Sequence, residues 1–405
     1  MNTVPDLAHA LRRSAELKEE LVAFGESRAF DRFLTPLLSE AGGPDGMVDE
    51  ATAISVIDHF LLQYRLPDGN TVADRFVARR TALTDADRET VLAWRDPVEG
   101  LFEVRGKDGG SLLLLNLLDD LEYRTYSNAG RSVFRAVTKG SFLGARLVAL
   151  AAVPGAWLVS GVMSAYPRSS ARDIAGAALE LATSRPELVF RNPAKVEQGW
   201  QRMREDRAAF AEFCGSDELV LPPAEAEDLI NAYYRHRQAT IVTGQPSPPR
   251  GKRRRSPDLP AFELPPELAD SDTIGVIYDE VDGLNFYADY GTLLDLFAKP
   301  TLAGHKRHQD LLRTYLREES ITPLPIRRLA AAHPETVDAV FRRLLRKPGF
   351  TWSEHGDALL RRRKPWYYLN EPRPGVSVIG DRLSELLRVA PGERVRQSVD
   401  GHQRT

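Results

Sequence analysis

Apolar residues recur at helical steps along most of the chain, and one block breaks that rhythm. Across residues 98–166 apolar and polar side chains alternate instead, as along strands with one buried face. Residues 101–105 alternate, and Gly106, Gly109 and Gly110 then offer the positive φ angles of a hairpin turn. Residues 111–118 fit strand or helix by periodicity; their place directly after the turn favours a return strand. Residues 121–126 alternate again, with aromatic and β-branched side chains. Two further runs, 141–150 and 156–166, are separated by Pro154 and Gly155. Five short strands at this spacing predict a small barrel or a strongly curled antiparallel sheet.

Helices surround that block. Leu7, Leu11, Leu17, Leu21 and Phe24 predict one over 7–38. Asp49 is placed to cap the next, in which Ile54, Ile57, Phe60 and Leu61 share a face. A short helix opens at Thr84 and ends near Trp94. Three more are predicted over 171–183, 192–213 and 223–239, with Val196, Trp200, Met203 and Phe210 as core positions of the second. Seven prolines between 244 and 270, with the run Lys252, Arg253, Arg254 and Arg255, describe an extended linker. Beyond it, strand-like runs 273–279 and 284–290 flank Asp282-Gly283, a hairpin signal. Helical patterns follow over 293–298, 305–316, 326–332, 334–346 and 357–364. The expected class is α+β. It comprises a helical N-terminal region (1–95), a β-rich barrel-like block (96–167) and a helical segment (168–243). A Pro-rich basic linker (244–270), a mainly helical C-terminal unit with a β-hairpin (271–390) and a flexible tail (391–405) follow.

Composition narrows the function classes. At 42% hydrophobic and 27% charged, the balance is that of a soluble globular chain. The longest apolar runs fall short of the ~20 residues a membrane span needs. The first six residues lack the charged and apolar regions of a signal peptide. A cytoplasmic protein with no membrane partner is expected. One cysteine, Cys214, leaves no internal disulfide and no Cys-based zinc site. Neither a G-x-x-x-x-G-K-S/T loop nor a G-x-G-x-x-G after a strand occurs, so no cofactor is expected. Gly140-Ser141-Phe142-Leu143-Gly144 places its serine one position early for a nucleophile elbow.

The net charge of −3 hides an asymmetry that is more informative. Residues 1–60 carry net −6, whereas 299–364 hold fifteen Lys and Arg against seven Asp and Glu, net +8. Three basic features are candidate nucleic-acid contacts. One is the linker run Lys252, Arg253 and Arg254. Another is Arg361, Arg362, Arg363 and Lys364, followed by Trp366 and Tyr367. The third is Arg124, Arg131, Arg135, Lys139 and Arg146, in a stretch from 123 to 148 without Asp or Glu. Tyr123, Tyr126, Phe134 and Phe142 lie among these last cations. Cations tracking a backbone with rings stacking on bases is the chemistry of single-strand binding. The same pattern also fits rings docked in a core with cations facing water.

Other constellations are weaker. His305 and His308 are three apart on a predicted helix, but Lys306 and Arg307 between them disfavour a metal and no third ligand is evident. Asp279, Glu280, Asp282 and Asp289 cluster at the C-terminal hairpin, where they serve turn chemistry or act as acid, base or divalent-ion ligands. Cys214 and His236 make a nucleophile–base pair only if the fold joins them.

The phrases Arg65-Leu66-Pro67-Asp68-Gly69, Gly140-Ser141-Phe142-Leu143, Gly275-Val276-Ile277-Tyr278-Asp279 and Lys364-Pro365-Trp366-Tyr367-Tyr368 carry a resemblance. Over about 60–369 the chain resembles a group of bacterial proteins that has no assigned function. Its sheet block is similar to a β segment of some bacterial proteins that end in a cysteine-rich zinc motif. That motif is absent here, so the resemblance implies no metal site and no catalytic residue. The expectation is a non-enzymatic protein that binds single-stranded nucleic acid through basic and aromatic surfaces. The alternatives are a protein-interaction adaptor or scaffold, and a metal-dependent hydrolase using the carboxylates near the C-terminal hairpin.

Overall fold

The computed structural model describes residues 7–43, 47–243 and 261–388. The linker cations Lys252, Arg253 and Arg254, and the tail 391–405, lie outside the described residues. The fold is α+β, and its contacts divide it into two compact units: Met1–Val196 with Ser377–Thr405, and Glu197–Val376. No helix among the described residues is long and apolar enough to cross a membrane.

The first unit begins with α1 (Leu7–Gly25), α2 (Asp31–Glu40), α3 (Glu50–Leu62), α4 (Val72–Arg79) and α5 (Asp85–Ala93). The single helix expected over 7–38 is two. A Cβ on Gly25, the last residue of α1, would lie 2.1 Å from Leu61 Cδ2, so a glycine is required where α1 closes on α3. Periodicity hides the break because Leu17 and Leu21 before it and Leu34 after it enter one core with Phe60. Asp49 caps α3, accepting from the Thr52 N–H at 3.0 Å. Thr84 with Asp87 forms a capping box on α5, and Thr71 with Asp74 forms one on α4, a helix the apolar pattern did not reveal.

The block 98–166 is a closed barrel. Its strands are β1 (Val98–Asp108), β2 (Ser111–Asn116), β3 (Glu122–Tyr126), β4 (Phe142–Ala149) and β5 (Ala156–Tyr166), in the order β1-β2-β3-β5-β4. One pair departs from the expected antiparallel pattern: β3 and β5 run parallel. Alternation points Phe102, Val104, Leu112, Leu114, Tyr123, Leu143 and Leu147 into the barrel core. A 3-10 turn, Arg131–Phe134, adds Phe134 to that core, and Val137 follows. On the outside, Tyr126, Val148 and Leu158 join the core of the N-terminal helices. Leu117, Leu118 and Phe142 pack instead with α6 (Ala171–Ser184) and with the C-terminal helix Asp381–Arg388. Arg382 fixes that last helix by a two-pronged bond to the buried Glu103, at 2.7 and 2.8 Å.

The second unit takes most of α7 (Pro193–Cys214), then β6 (Glu218–Leu221), α8 (Pro223–Thr243), α9 (Pro266–Ala269), β7 (Ile274–Asp279) and β8 (Gly283–Ala288). These strands form an antiparallel sheet in the order β6-β7-β8. β6 went unforeseen because four residues carry too little alternation to register. Ile274 and Val276 pack with Phe210, Ile230 and Tyr233 on one face. On the other, Ile277 meets the core of α10 (Tyr290–Ala298), α11 (Lys306–Arg317), α12 (Leu324–Ala332), α13 (Val337–Leu345) and α14 (Trp352–Arg363). Expected to open at Pro334, α13 starts at Val337, after a turn through that proline.

A buried carboxylate joins helices to barrel in the first unit. Asp58 of α3 is 3% exposed. It accepts from Lys18 of α1 at 2.5 Å, from the Ser160 hydroxyl of β5 at 2.7 Å and from Arg146 of β4 at 3.1 Å. Arg146 also bonds Glu99 of β1, whose other oxygen accepts from Arg185 at 2.7 Å. Burial opposes ionisation of Asp58, but Lys18, Ser160 and Arg146 outweigh it and hold the carboxyl below its usual range.

Because folding lowers this pKa, the stabilisation is present above the unfolded-chain value near 3.8 and is lost as pH falls through the folded value. Asp58→Asn leaves two cations short of a counter-charge, and is expected to cost about 3–5 kcal/mol at pH 7. Chemical unfolding of both proteins at pH 7 and in acid checks this. The gap between them should narrow in acid, and an equal gap at both contradicts the assignment.

Candidate nucleic-acid interface

The cations picked out in sequence fall into three physical situations. Arg146 is the first: it is spent inside the Asp58–Glu99 network and does not face a ligand. Its place in an acid-free segment was misleading because its partners come from α3 and β1, distant in sequence.

Arg131, Arg135 and Lys139 are the second situation. All three are exposed, and none has an ion-pair partner among the described residues. Arg131 and Arg135 lie on and just after the 3-10 turn that follows β3, beside the β1–β2 hairpin. Together the turn and hairpin enclose a cavity of about 380 Å³ lined by Lys107, Asp108, Gly109, Gly110, Ser111, Arg131, Ser132, Phe134 and Arg135. Gly109 and Gly110 have φ of +55° and +89°, the left-handed geometry that lets the hairpin turn so tightly. Lys107 reaches across the gap and donates to the Phe134 carbonyl at 2.5 Å, fixing hairpin to turn. Asp108 is the one acid at this rim, and Arg124 neutralises it at 2.8 Å. Arg124 is therefore half-exposed but paired. Sequence reasoning omitted Lys107, although it is the cation inside the glycine-rich turn that marked the hairpin.

The rings among these cations are not on the surface. Tyr123, Tyr126, Phe134 and Phe142 are all buried, at most 8% exposed. The Tyr123 hydroxyl donates to Asp119 at 2.6 Å, and Trp157 packs edge-on against it. Burial pushes the Asp119 carboxyl up to about 6, against the donors that surround it. Tyr123 and Phe134 point into the barrel core, Tyr126 and Phe142 are covered by helices outside it, and Arg131, Arg135 and Lys139 lie exposed on the link between β3 and β4.

The C-terminal basic–aromatic run, in the second unit, divides as well. Arg361 lies over the Tyr368 ring at 4.5 Å and bonds Asp357 at 2.7 Å. Arg362 and Arg363 are exposed and lack an ion-pair partner among the described residues. Trp366 and Tyr367 are half-buried, and the Tyr367 hydroxyl donates to Asp282 at 2.8 Å. Lys364 is a correction: it is fully buried, its ammonium donating to the Glu318 carbonyl, and no ligand reaches it.

The hairpin carboxylates point to separate partners. Asp279 accepts the Val281 N–H at 2.8 Å in its own turn, Asp282 accepts from Thr322 at 2.6 Å, and Asp289 accepts the Asp272 N–H at 3.0 Å. Glu280 pairs with Arg207 at 2.7 Å. No group of three His, Cys, Asp or Glu among the described residues is arranged to hold a metal ion. The His305 and His308 rings stand 5.8 Å apart, and Asp310 is paired with Arg313. Burial raises the pKa of the Cys214 thiol, the direction opposite to an activated nucleophile.

Burial pushes the Lys364 pKa down to about 8. Folding therefore disfavours its charged form, and the penalty is full below about pH 8 and disappears as pH rises towards the unfolded value of 10.5. Wild-type stability relative to Lys364→Met should rise between those pH values in thermal unfolding. A flat difference contradicts a charged, buried amine. Comparisons with protein-family models, curated proteins and solved structures find no match for this chain.

Proposed function

We propose that this protein binds single-stranded nucleic acid, without catalysing a reaction, along the link between β3 and β4, with Arg131 and Arg135 at the barrel rim and Lys139 further along the link. The observation that carries the proposal is their state and place: three exposed cations close together in the chain, none with a carboxylate partner among the described residues, two of them lining the gap between turn and hairpin. A cation left unpaired at a surface retains its full attraction for phosphate, and releasing counterions drives such binding. The concave gap between hairpin and turn suits a flexible strand better than a rigid duplex. A five-stranded barrel is also the architecture of oligonucleotide- and oligosaccharide-binding folds, a likeness of architecture alone. Arg362 and Arg363 offer a separate, smaller basic feature in the second unit.

Fluorescence anisotropy of a labelled single-stranded oligonucleotide tests the proposal. Three phosphate contacts predict an affinity loss of roughly 20-fold between 50 and 200 mM salt. Replacing Arg131, Arg135 and Lys139 together with Ala should weaken low-salt binding about tenfold or more and flatten the salt dependence. No binding at low salt, or an unchanged affinity in the triple variant, contradicts it.

A further inference from the structure

Resting on the binding reading above, we infer that the barrel rim recognises the phosphate backbone and is blind to the bases. Proteins that hold single strands by their bases present rings for stacking or a pattern of donors and acceptors for base edges. This rim offers neither. Phe134 is the one ring lining the cavity, and it is 3% exposed, with its face committed to the barrel core. Tyr123 is held by Asp119 inside the barrel, and Tyr126 belongs to the core shared with the N-terminal helices. Tyr166 is the exposed ring of the barrel strands, but it pairs with Phe142 at the far end of β5 and does not line the cavity.

Acceptors are equally scarce. Asp108 is the sole carboxylate at the cavity, and Arg124 occupies it. The Ser111 hydroxyl donates to the Asp108 carbonyl at 2.6 Å. What remains facing a ligand is the two guanidinium groups of Arg131 and Arg135, with the Ser132 hydroxyl between them as a lone small polar group. Two cationic forks and one small hydroxyl match phosphate oxygens, which only accept, and offer too few acceptors to read a base edge. The ligand class is thus a flexible phosphodiester strand of any sequence.

The experiment compares labelled oligo-dT, oligo-dA and an abasic strand of equal length on the full chain, with unlabelled long-chain inorganic polyphosphate as competitor. Affinities within about twofold of one another are expected, because no stacked base contributes. Polyphosphate should displace all three strands, and Arg131→Ala with Arg135→Ala should weaken all three by the same factor. A preference of about tenfold or more for one homopolymer, or a comparable loss for the abasic strand, overturns base-blindness while leaving nucleic-acid binding in place. No binding of any strand overturns the binding reading itself, and this inference with it.

Discussion

An ionised carboxylate taken out of water must be met by donors, and Asp58 sets that condition for the first unit. Its three partners come from α1, β4 and β5, so satisfying one side chain fixes two helices against the barrel wall. Apolar packing of Tyr126, Val148 and Leu158 under the helices supplies attraction without direction. The charge network supplies the register. Through Arg146 it extends to Glu99 on β1 and Arg185 after α6, which carries the constraint around the outside of the barrel.

The same rule accounts for several other cations. Arg382 is spent on Glu103, and Arg124 on Asp108. In the second unit Arg328, within 3.4 Å of Asp217, Glu218 and Asp279, bridges β6 and β7. Each of these side chains works for the fold. Arg131, Arg135 and Lys139 in the first unit, like Arg362 and Arg363 in the second, are exposed and have no ion-pair partner among the described residues. The proposed binding surface is drawn from what remains after structural charges have been matched.

Much of the architecture was legible in sequence because alternation and turn residues are local signals. All five barrel strands, the Asp49 and Thr84 caps and the Asp282-Gly283 hairpin could be placed from neighbouring residues alone. What could not be read is what depends on distant partners. The need for a glycine at 25 follows from Leu61, and the parallel β3–β5 pair follows from β4 pairing with β1 and β5 instead of β3. Burial of Lys364 follows from a carbonyl 46 residues earlier. The candidate site was half legible. An acid-free stretch pointed to a segment that does carry exposed cations, but composition treats Arg131 and Arg146 alike, whereas Asp58 and Glu99 consume only the second.

That distinction between spent and available cations is the central claim, and salt-dependent binding reads it one residue at a time. Oligonucleotide affinity would be measured across a salt series for wild type, Arg131→Ala, Arg135→Ala and Arg124→Ala combined with Asp108→Asn. The account predicts that each of the first two variants lowers the logarithmic salt slope by about 0.7, the single-strand value per phosphate contact. It predicts a wild-type slope for the Arg124–Asp108 double variant, since that pair contributes no net charge to a ligand. Slopes unchanged in Arg131→Ala and Arg135→Ala, or reduced in the double variant alone, would contradict it.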